Sequence, residues 1–517
     1  MFDNIKRLFS RLTGTGRPDG GNIPGNGKGR RNGKMPGGMK HAAAVGCDMN
    51  NREFLEREIM FWKGSPERRM QIKGQFYYIG EHDILTRKRT MIGEDGRICE
   101  IDNLPNNIQI DNQYAKMVNQ KVNYLLGQPF VIETENKTYA SLLKEILDSR
   151  FKRTLKSAGK AAYNHGICWL YPYYRKDGEF LFRLLPGYEV HPIWADGNHT
   201  VLEGAIRLYT VTRYEGAAMV PDIVEKVEVF DSSGIRCYEL EGNTLIPDPD
   251  AEEVDCSYVM CGDDPYNWSR IPLIPVRANE QEIPLIKKTK CLQDGINMML
   301  SDFENAMQED SRNTILVLKN YDGTNLGEFR RNLAQFGAVK VRSTNGGEGG
   351  IETLEMQVDS DNYKSILDLF KKALTENAMG YDAKDDRLSG NPNQMNIQSM
   401  YSDIDLDANE FETELQAAFK EILWFINAHL TNTGKGDFFG EDVSIIFNRD
   451  ILINETEAIQ NCQASTGILS DRTVISQHPW IDDVDKELER IKEQETQYDP
   501  FQAMIREAED SDVDETR

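Results

Sequence analysis

The chain has no run of about 18 apolar residues, so no segment reads as a transmembrane helix. No secretory leader is expected either. The N-terminal MFDNIKRLFSRLTG is briefly amphipathic but has no apolar core and no small-residue cleavage site, and a cytoplasmic origin is expected. Cysteine is sparse: eight are scattered along the chain, and the closest pair, Cys256 and Cys261, has no second pair to complete a zinc site. Positive charge is in deficit, with 60 Lys and Arg against 84 Asp and Glu and a formal net charge of −24. A sequence-specific DNA-binding protein is normally basic, so tight wrapping of nucleic acid is not expected.

Catalytic signatures are missing as well. A phosphate-binding loop needs Gly-x-x-x-x-Gly-Lys followed by Ser or Thr, because backbone amides cradle the phosphate and the hydroxyl holds magnesium. Here Gly29 follows Gly27-Lys28, and Asn22 stands where the first glycine belongs. No Gly-x-Ser-x-Gly elbow is present. The seven histidines are dispersed. His82-Asp83 has no partner placed by spacing, and His165 and Cys168 straddle a helix-to-strand passage. The carboxylate pairs Asp385-Asp386 and Asp482-Asp483 are adjacent in sequence rather than set around a cleft. Neither a catalytic residue, a metal ligand nor a cofactor is expected. A metal-dependent nuclease, whose carboxylates need no local signature, stays open as an alternative, as does a non-conducting scaffold.

What is present reads as a multidomain globular chain: 517 residues, 39% apolar and 28% charged, enough for two to four domains. Residues 13–38 are rich in Gly, Pro, Asn and base, including Lys28, Arg30, Arg31 and Lys34, and cannot build a core. NREFLEREIMFWKGS from Asn51 predicts a helix closed near Gly64. A second helix is predicted through DNQYAKMVNQKVNYLLG, capped by Asp111, with Ala115, Val118, Val122 and Leu125 inward. Residues Thr138–Gly166 predict more helix. CWLYPYY, EFLFRLL, AIRLYTV, EKVEVFD and IRCYELE then predict strands.

A long helix, Ile283–Glu309, carries Leu285, Leu292, Ile296, Met299, Leu300, Phe303 and Met307 at helical spacing, with Lys287, Lys288 and Lys290 near its start. A small α/β insert follows: strand TILVLKN, helix LGEFRRNLAQF, strand AVKVRS and strand IETLEMQ. Next come a helix over Tyr363–Met379, the polar loop YDAKDDRLSGNPNQMN at Tyr381–Asn396, and a helix over Ile397–Leu430. That last helix has an acidic first half: Asp403, Asp405, Asp407, Glu410, Glu412 and Glu414. Strand VSIIFN, three short helices and the acidic tail EAEDSDVDETR complete the chain. A charged loop held between two strong helices is a poor core element and a good way to present a tip to a partner. The fold class is α+β, predominantly helical.

FYYIGEHDIL at Phe76–Leu85, RKR at Arg87–Arg89, NLPNN at Asn103–Asn107 and DNQYAKMVNQKVNYLLGQPF at Asp111–Phe130 resemble the portal proteins of tailed bacteriophages, in the subgroup typified by Gram-positive siphophages. The element order of the middle region and the run ASTGILSDRTVISQHPWIDDVDKELERIKEQE at Ala464–Glu495 are similar too. The resemblance spans about Asn51 to Glu495.

The resemblance implies a non-enzymatic homo-oligomer, usually of twelve copies, forming a head-tail connector at one capsid vertex of the virion after assembly in the host cytoplasm. Double-stranded DNA passes through its central channel during packaging and ejection. The implied division is a flexible basic segment at 1–50, a wing at 51–280, a stem helix at 281–311, a clip at 312–357 and a second stem helix at 358–380. A tunnel loop at 381–396, a long wing helix with its returning strand at 397–453, crown helices at 454–496 and a disordered acidic tail at 497–517 follow. Lys384 and Arg387 would touch DNA, with Asp382, Asp385 and Asp386 weakening the contact; a solvated loop without DNA contact is the alternative. Arg330 and Arg331 would mark clip docking, and Lys287, Lys288 and Lys290 the stem. Implied partners are the terminase large subunit, scaffolding and major capsid proteins, and a head-completion adaptor; no membrane is involved.

Overall fold

The structure, a computed structural model, describes residues 46–92, 97–100, 105–215, 220–251, 255–261, 264–310, 315–319, 350–354, 360–382, 394–449, 455–476, 478, 480–481 and 484–497. The basic tract at 13–38, the helix and middle strand of the expected insert (326–336 and 338–343), and the acidic tail lie outside these residues. The chain is a mixed helix-and-strand fold in two compact units. The first comprises Met1–Gly380 with Leu406–Arg449, and the second Tyr381–Asp405 with Asp450–Arg517.

The first unit opens with α1 (Arg52–Gly64), N-capped by Asn51, whose side chain accepts from the Phe54 N–H. α2 (Pro66–Ile79) starts at once, with Ser65 as N-cap, Pro66 in the first turn and left-handed Gly80 as terminator. α3 (Gln113–Leu126) is capped by Asn112, not by the predicted Asp111: the Asn112 side chain accepts from Ala115 N at 2.9 Å. Its Nδ2 also donates to Tyr77 O at 2.8 Å, so one amide caps α3 and ties it to the end of α2. A carboxylate has no donor for the second job. Asp111 instead pairs with Lys371 at 2.7 Å.

The helix predicted over 138–166 is two, α4 (Lys137–Ile146) and α5 (Ser149–His165), because Asp148 leaves the helix to cap α5 at Phe151 N. Helices α2 and α5 meet closely at Gly74, where a Cβ would sit 2.0 Å from Asn164 O. Any side chain there would push the two helices apart.

Eight strands follow: β1 (Ile167–Tyr174), β2 (Phe180–Leu185), β3 (Val190–Trp194), β4 (Leu202–Glu215), β5 (Val220–Asp231), β6 (Gly234–Glu241), β7 (Thr244–Pro247) and β8 (Ile274–Arg277); β1, β2, β4, β5 and β6 were expected, while β3, β7 and β8 were not. Strands β3 to β7 form an antiparallel meander, with the short strand Asp255–Cys256 pairing β6. A smaller antiparallel sheet has the order β8-β1-β2. Side-chain alternation divides the large sheet cleanly. Ile206, Leu208, Val227 and Val229 join Leu55 and Ile59 of α1 in one core cluster. Ala205 and Phe230, of opposite parity, join Trp169, Leu185, Val190 and Trp194 in the other.

Three long helices end the unit's pattern. They are α6 (Ile286–Asp310), α7 (Ser360–Asn377) and α8 (Gln394–Asn432). Of the predicted insert, strands Ile315–Lys319 and Gly350–Leu354 are present and pair antiparallel. Helix α8 has 39 residues, longer than its apolar stripe alone predicted, and the division between units falls within it. In its first-unit portion Phe411, Leu415, Ala418, Phe419, Ile422 and Ile426 are buried as read from their spacing. The second unit contains α9 (Glu455–Ser465), α10 (Asp471–Ser476) and α11 (Val484–Gln497). There the Cys462 thiol contacts Val474 O at 3.7 Å, joining α9 to α10.

Candidate functional site

Of the loop residues singled out from the sequence, Asp382 is exposed, while Lys384, Asp385, Asp386 and Arg387 lie outside the described residues, as do Arg330 and Arg331. The frame at the loop's first root is described. Helix α7 ends in a tight turn. Met379 takes a left-handed conformation at φ 52°, and Gly380 N donates back to Thr375 O at 2.9 Å. A Cβ on Gly380 would meet Met117 Sδ at 2.7 Å and Gln120 Oε1 at 2.9 Å, both on α3. The first root therefore passes flush against α3, where an added Cβ would displace the ends of the Met117 and Gln120 side chains.

The same helix supplies the grip. Lys121 sits on the inward stripe of α3 and its side chain is 0% exposed. Its Nζ donates to Met379 O at 3.2 Å and pairs with Asp407 on α8 at 2.7 Å. Tyr163 of α5 donates its hydroxyl to Asp407 Oδ2 at 2.6 Å. One buried cation thus joins Met379, two residues before the loop, to the helix after it. Burial pulls the Lys121 ammonium below its ordinary range while Asp407 holds it up. Burial, reinforced by Asp407, pushes the Tyr163 phenol well above its usual range.

This changes the expected acidic face of α8. Asp407 points inward to Lys121, Glu412 pairs with Arg449 at 3.0 Å, and Glu414 approaches Arg277 at 3.7 Å. The sequence carried a signal for Lys121. It lies three residues after Val118 and four after Met117, on the apolar stripe of α3, where a lysine needs a buried partner.

The stem lysines also divide. Lys287 and Lys288 are exposed. Lys290 pairs with Asp83 at 2.8 Å and Asp294 at 2.6 Å and lies over the Tyr77 ring at 5.2 Å. Desolvation opposes its charge, but Asp294, Asp83 and the Tyr77 hydroxyl outweigh it and hold the ammonium well above the ordinary range. Helices α6 and α7 pack through Phe303 and Tyr363, ring centroids 5.1 Å apart, and through Phe370 against Gly295.

The apolar stripe predicted for α6 is not its most buried face. Of that stripe Leu285 and Ile296 are buried, Leu292, Met299, Leu300 and Phe303 are half-buried and Met307 is exposed. Fully buried instead are Thr289, Gln293, Asn297, Ser301 and Asn305, polar residues at every fourth position. Their partner is backbone. The N–H groups of Asn107, Gln109 and Asp111 donate to Asn305 Oδ1 at 2.8 Å, Ser301 Oγ at 2.9 Å and Asn297 Oδ1 at 3.1 Å. Tyr114 N donates to Gln293 Oε1 at 2.9 Å. The runs RKR and NLPNN meet here: Arg89 donates to Pro105 O at 2.8 Å and Asn106 to Arg87 O at 3.1 Å.

Among the described residues, one carboxylate group could hold a metal ion: Glu239, Asp248 and Asp250. Lys226 Nζ already lies 2.8 Å from both Asp248 oxygens and 2.8 Å from Asp250 Oδ2, and Arg213 contacts Glu239 and Asp250. The cations neutralise the cluster from within. His82 and His165 are buried packing groups, each with both ring nitrogens in hydrogen-bond contact.

Comparison with known proteins follows the same direction. The family described as "Phage portal protein, SPP1 Gp6-like" matches residues 65–500. The portal protein of Bacillus phage SPP1 is 29% identical over 447 residues, covering 86% of this chain and 87% of that protein. The portal protein of Clostridium phage phiCD119 is 24% identical over 430 residues, covering 81% of this chain and 91% of its own length. Among solved structures, a chain of the neck of an empty GTA particle is similar at 13% identity and a TM-score of 0.38, covering 70% of this chain and 88% of that one.

Proposed function

Because this chain belongs to the SPP1 Gp6-like family of phage portal proteins, we propose that its copies close into a ring whose tunnel is narrowed by the loop at 381–396. The protein is a portal: the channel at a capsid vertex through which double-stranded DNA is packaged and ejected, and a docking site for the packaging motor and head-completion proteins. The family match over residues 65–500 carries this reading. In the proposed division, α6 and α7 form the stem, residues 312–357 the clip, α8 the long wing helix and α9 to α11 the crown.

Charge favours a conduit over a clamp. A strongly basic bore would hold duplex DNA by releasing its counterions and would stall it. At −24 per chain, a ring of twelve repels DNA almost everywhere and lets it slide. Lys384 and Arg387 supply brief phosphate contacts at the constriction, and Asp382, Asp385 and Asp386 keep them weak. The Lys121 grip supports this use, since a loop that contacts moving DNA needs fixed roots. A nuclease is disfavoured because the grouped carboxylates among the described residues are already paired with Lys226 and Arg213.

Two outcomes test the division. Lys384→Ala with Arg387→Ala is expected to leave ring assembly intact and to reduce the yield of DNA-filled particles, by about tenfold if each residue supplies a charge-assisted contact. Normal packaging and retention in that variant would remove the contact role. Charge reversal at Arg330 and Arg331 is expected to weaken binding of the motor or the adaptor in a pull-down while rings persist. Unchanged binding would reassign the docking surface.

A further inference from the structure

The polar seam of α6 reads backbone rather than side chains, and its bonds are graded along its length. Side chains four residues apart on a helix repeat about every 6.0 Å. Alternate N–H groups of an extended chain repeat about every 6.6–6.8 Å. The two spacings match closely enough for a few steps and then drift apart. At the Asp111 end the seat is doubly made: Asn297 accepts from Asp111 N, and Gln293 Nε2 donates to Asp111 O at 2.7 Å. Asn297 is itself fixed, its Nδ2 donating to His82 Nδ1 at 2.7 Å. The middle seat is Ser301, which donates to Asn297 O at 2.7 Å and accepts from Gln109 N at 2.9 Å, and the exposed Gln109 side chain adds a bond from Nε2 to Glu304 Oε2 at 2.6 Å.

At the far end one bond to α6 remains, Asn107 N to Asn305 Oδ1 at 2.8 Å, while Pro105 and Asn106 are tied to the 87–89 run instead. The side-chain Nδ2 groups of both Asn107 and Asn305 are buried there without a partner, and so is Nη1 of Arg87, whose other nitrogen pairs with Asp302 on the same helix. Buried donors with no acceptor favour an open state in which water satisfies them. The cost is concentrated at one end of the strap and the firm bonds at the other.

We propose that residues 105–111 form a releasable strap on α6 that peels from Asn107 towards Gln109 while staying anchored at Asp111. Peeling frees Ser301 and Asn305, the last two seats, and leaves the C-terminal half of α6 packed on α7 through Phe303 and Tyr363. The N-terminal half stays tied to α3 through Gln293 and Tyr114. The strap therefore decides whether the distal half of α6 moves with α3 or independently of it. This is a property of a single chain and stands whether or not the assembled ring conducts DNA.

Amide hydrogen exchange on the full-length protein, resolved to single residues, tests it. The amides of Asn107 and Gln109 are expected to exchange at least tenfold faster than those of Asp111 and Tyr114. Asn305→Leu, which removes the weakest seat, is expected to accelerate Asn107 further and to leave Asp111 within threefold of the unmodified chain. Ser301→Ala gives a second reading at Gln109 should the first variant fold poorly. Equal protection at 107, 109, 111 and 114, or simultaneous loss of all four in either variant, would show a fixed element and overturn the proposal.

Discussion

Replacing Asp407 with alanine is expected to destabilise the first unit by about 3–5 kcal/mol, the usual cost of stripping the partner from a buried charge. The Lys121 side chain is 0% exposed, and Asp407 is its only ion-pair partner among the described residues. Without it the ammonium keeps the Met379 carbonyl alone, and the Tyr163 hydroxyl loses its acceptor. The cost comes from desolvation left uncompensated, not from the strength of the pair, and a second variant separates the two. Lys121→Met, Tyr163→Phe and Asp407→Leu together remove the charges and the hydroxyl. That triple variant is expected to fall within about 2 kcal/mol of the original chain. Reversible denaturant unfolding measures both. A loss below about 1 kcal/mol for Asp407→Ala alone would mean that water or another carboxylate reaches Lys121, and that the loop roots are not held as described. The triple variant also isolates function: if it is stable yet packages DNA poorly, the grip on Met379 O matters beyond stability.

Acidification is the second large effect. Burial drives the His165 imidazole down to about 3. The ring sits between α5, α2 and the 187–189 turn, with Nδ1 accepting from Gly187 N at 3.3 Å and Nε2 facing Gln75 Oε1 at 3.1 Å. That arrangement suits the neutral ring with its proton on Nε2, because a proton on Nδ1 would face the Gly187 donor. The unfolded chain takes up its proton near pH 6.5, well before the folded one does. Stability from this residue is therefore complete above about pH 6.5. It falls by about 1.4 kcal/mol per pH unit below that and levels off only near the folded value, so roughly 2 kcal/mol is gone by pH 5. Burial lowers His82 and His429 as well and adds to the same trend. Unfolding followed from about pH 7.5 to about pH 4.5 is expected to show this slope. His165→Gln is expected to start lower and to lose about 1.4 kcal/mol per pH unit of the dependence. An unchanged slope in that variant would place the acid sensitivity elsewhere.

These residues show where sequence reasoning reached and where it stopped. Helix α1 and the stripe of α3 were legible because apolar spacing and end signals agreed, whereas α2, between them, was not read from the sequence. The β4 and β5 strands were legible because alternating residues serve two cores. Neighbouring residues of similar chemistry were harder. Asp111 and Asn112 can both cap a helix, and only the fold supplies the Tyr77 carbonyl that rewards an amide.

Periodicity alone also misled on α6. Residues 289, 293, 297, 301 and 305 share a face as surely as the apolar set does. Which face is buried was decided by a strap almost 200 residues away in sequence, whose backbone needed acceptors. Lys121 lies on the inward stripe but was not singled out, and its partner on α8 could not be read, since nothing local links the two. The family was legible from short runs at 76–130, two of which turn out to build the strap junction. The chemistry at the loop tip was legible as a balance of charges and stays a proposal about Lys384 and Arg387.

The central claim is a ring around a DNA channel, and electron microscopy of the purified full-length protein tests it most directly. The account predicts closed rings of about twelve copies with an axial hole, persisting across salt concentrations that screen surface charge. Monomers or small dimers at every salt concentration would contradict it.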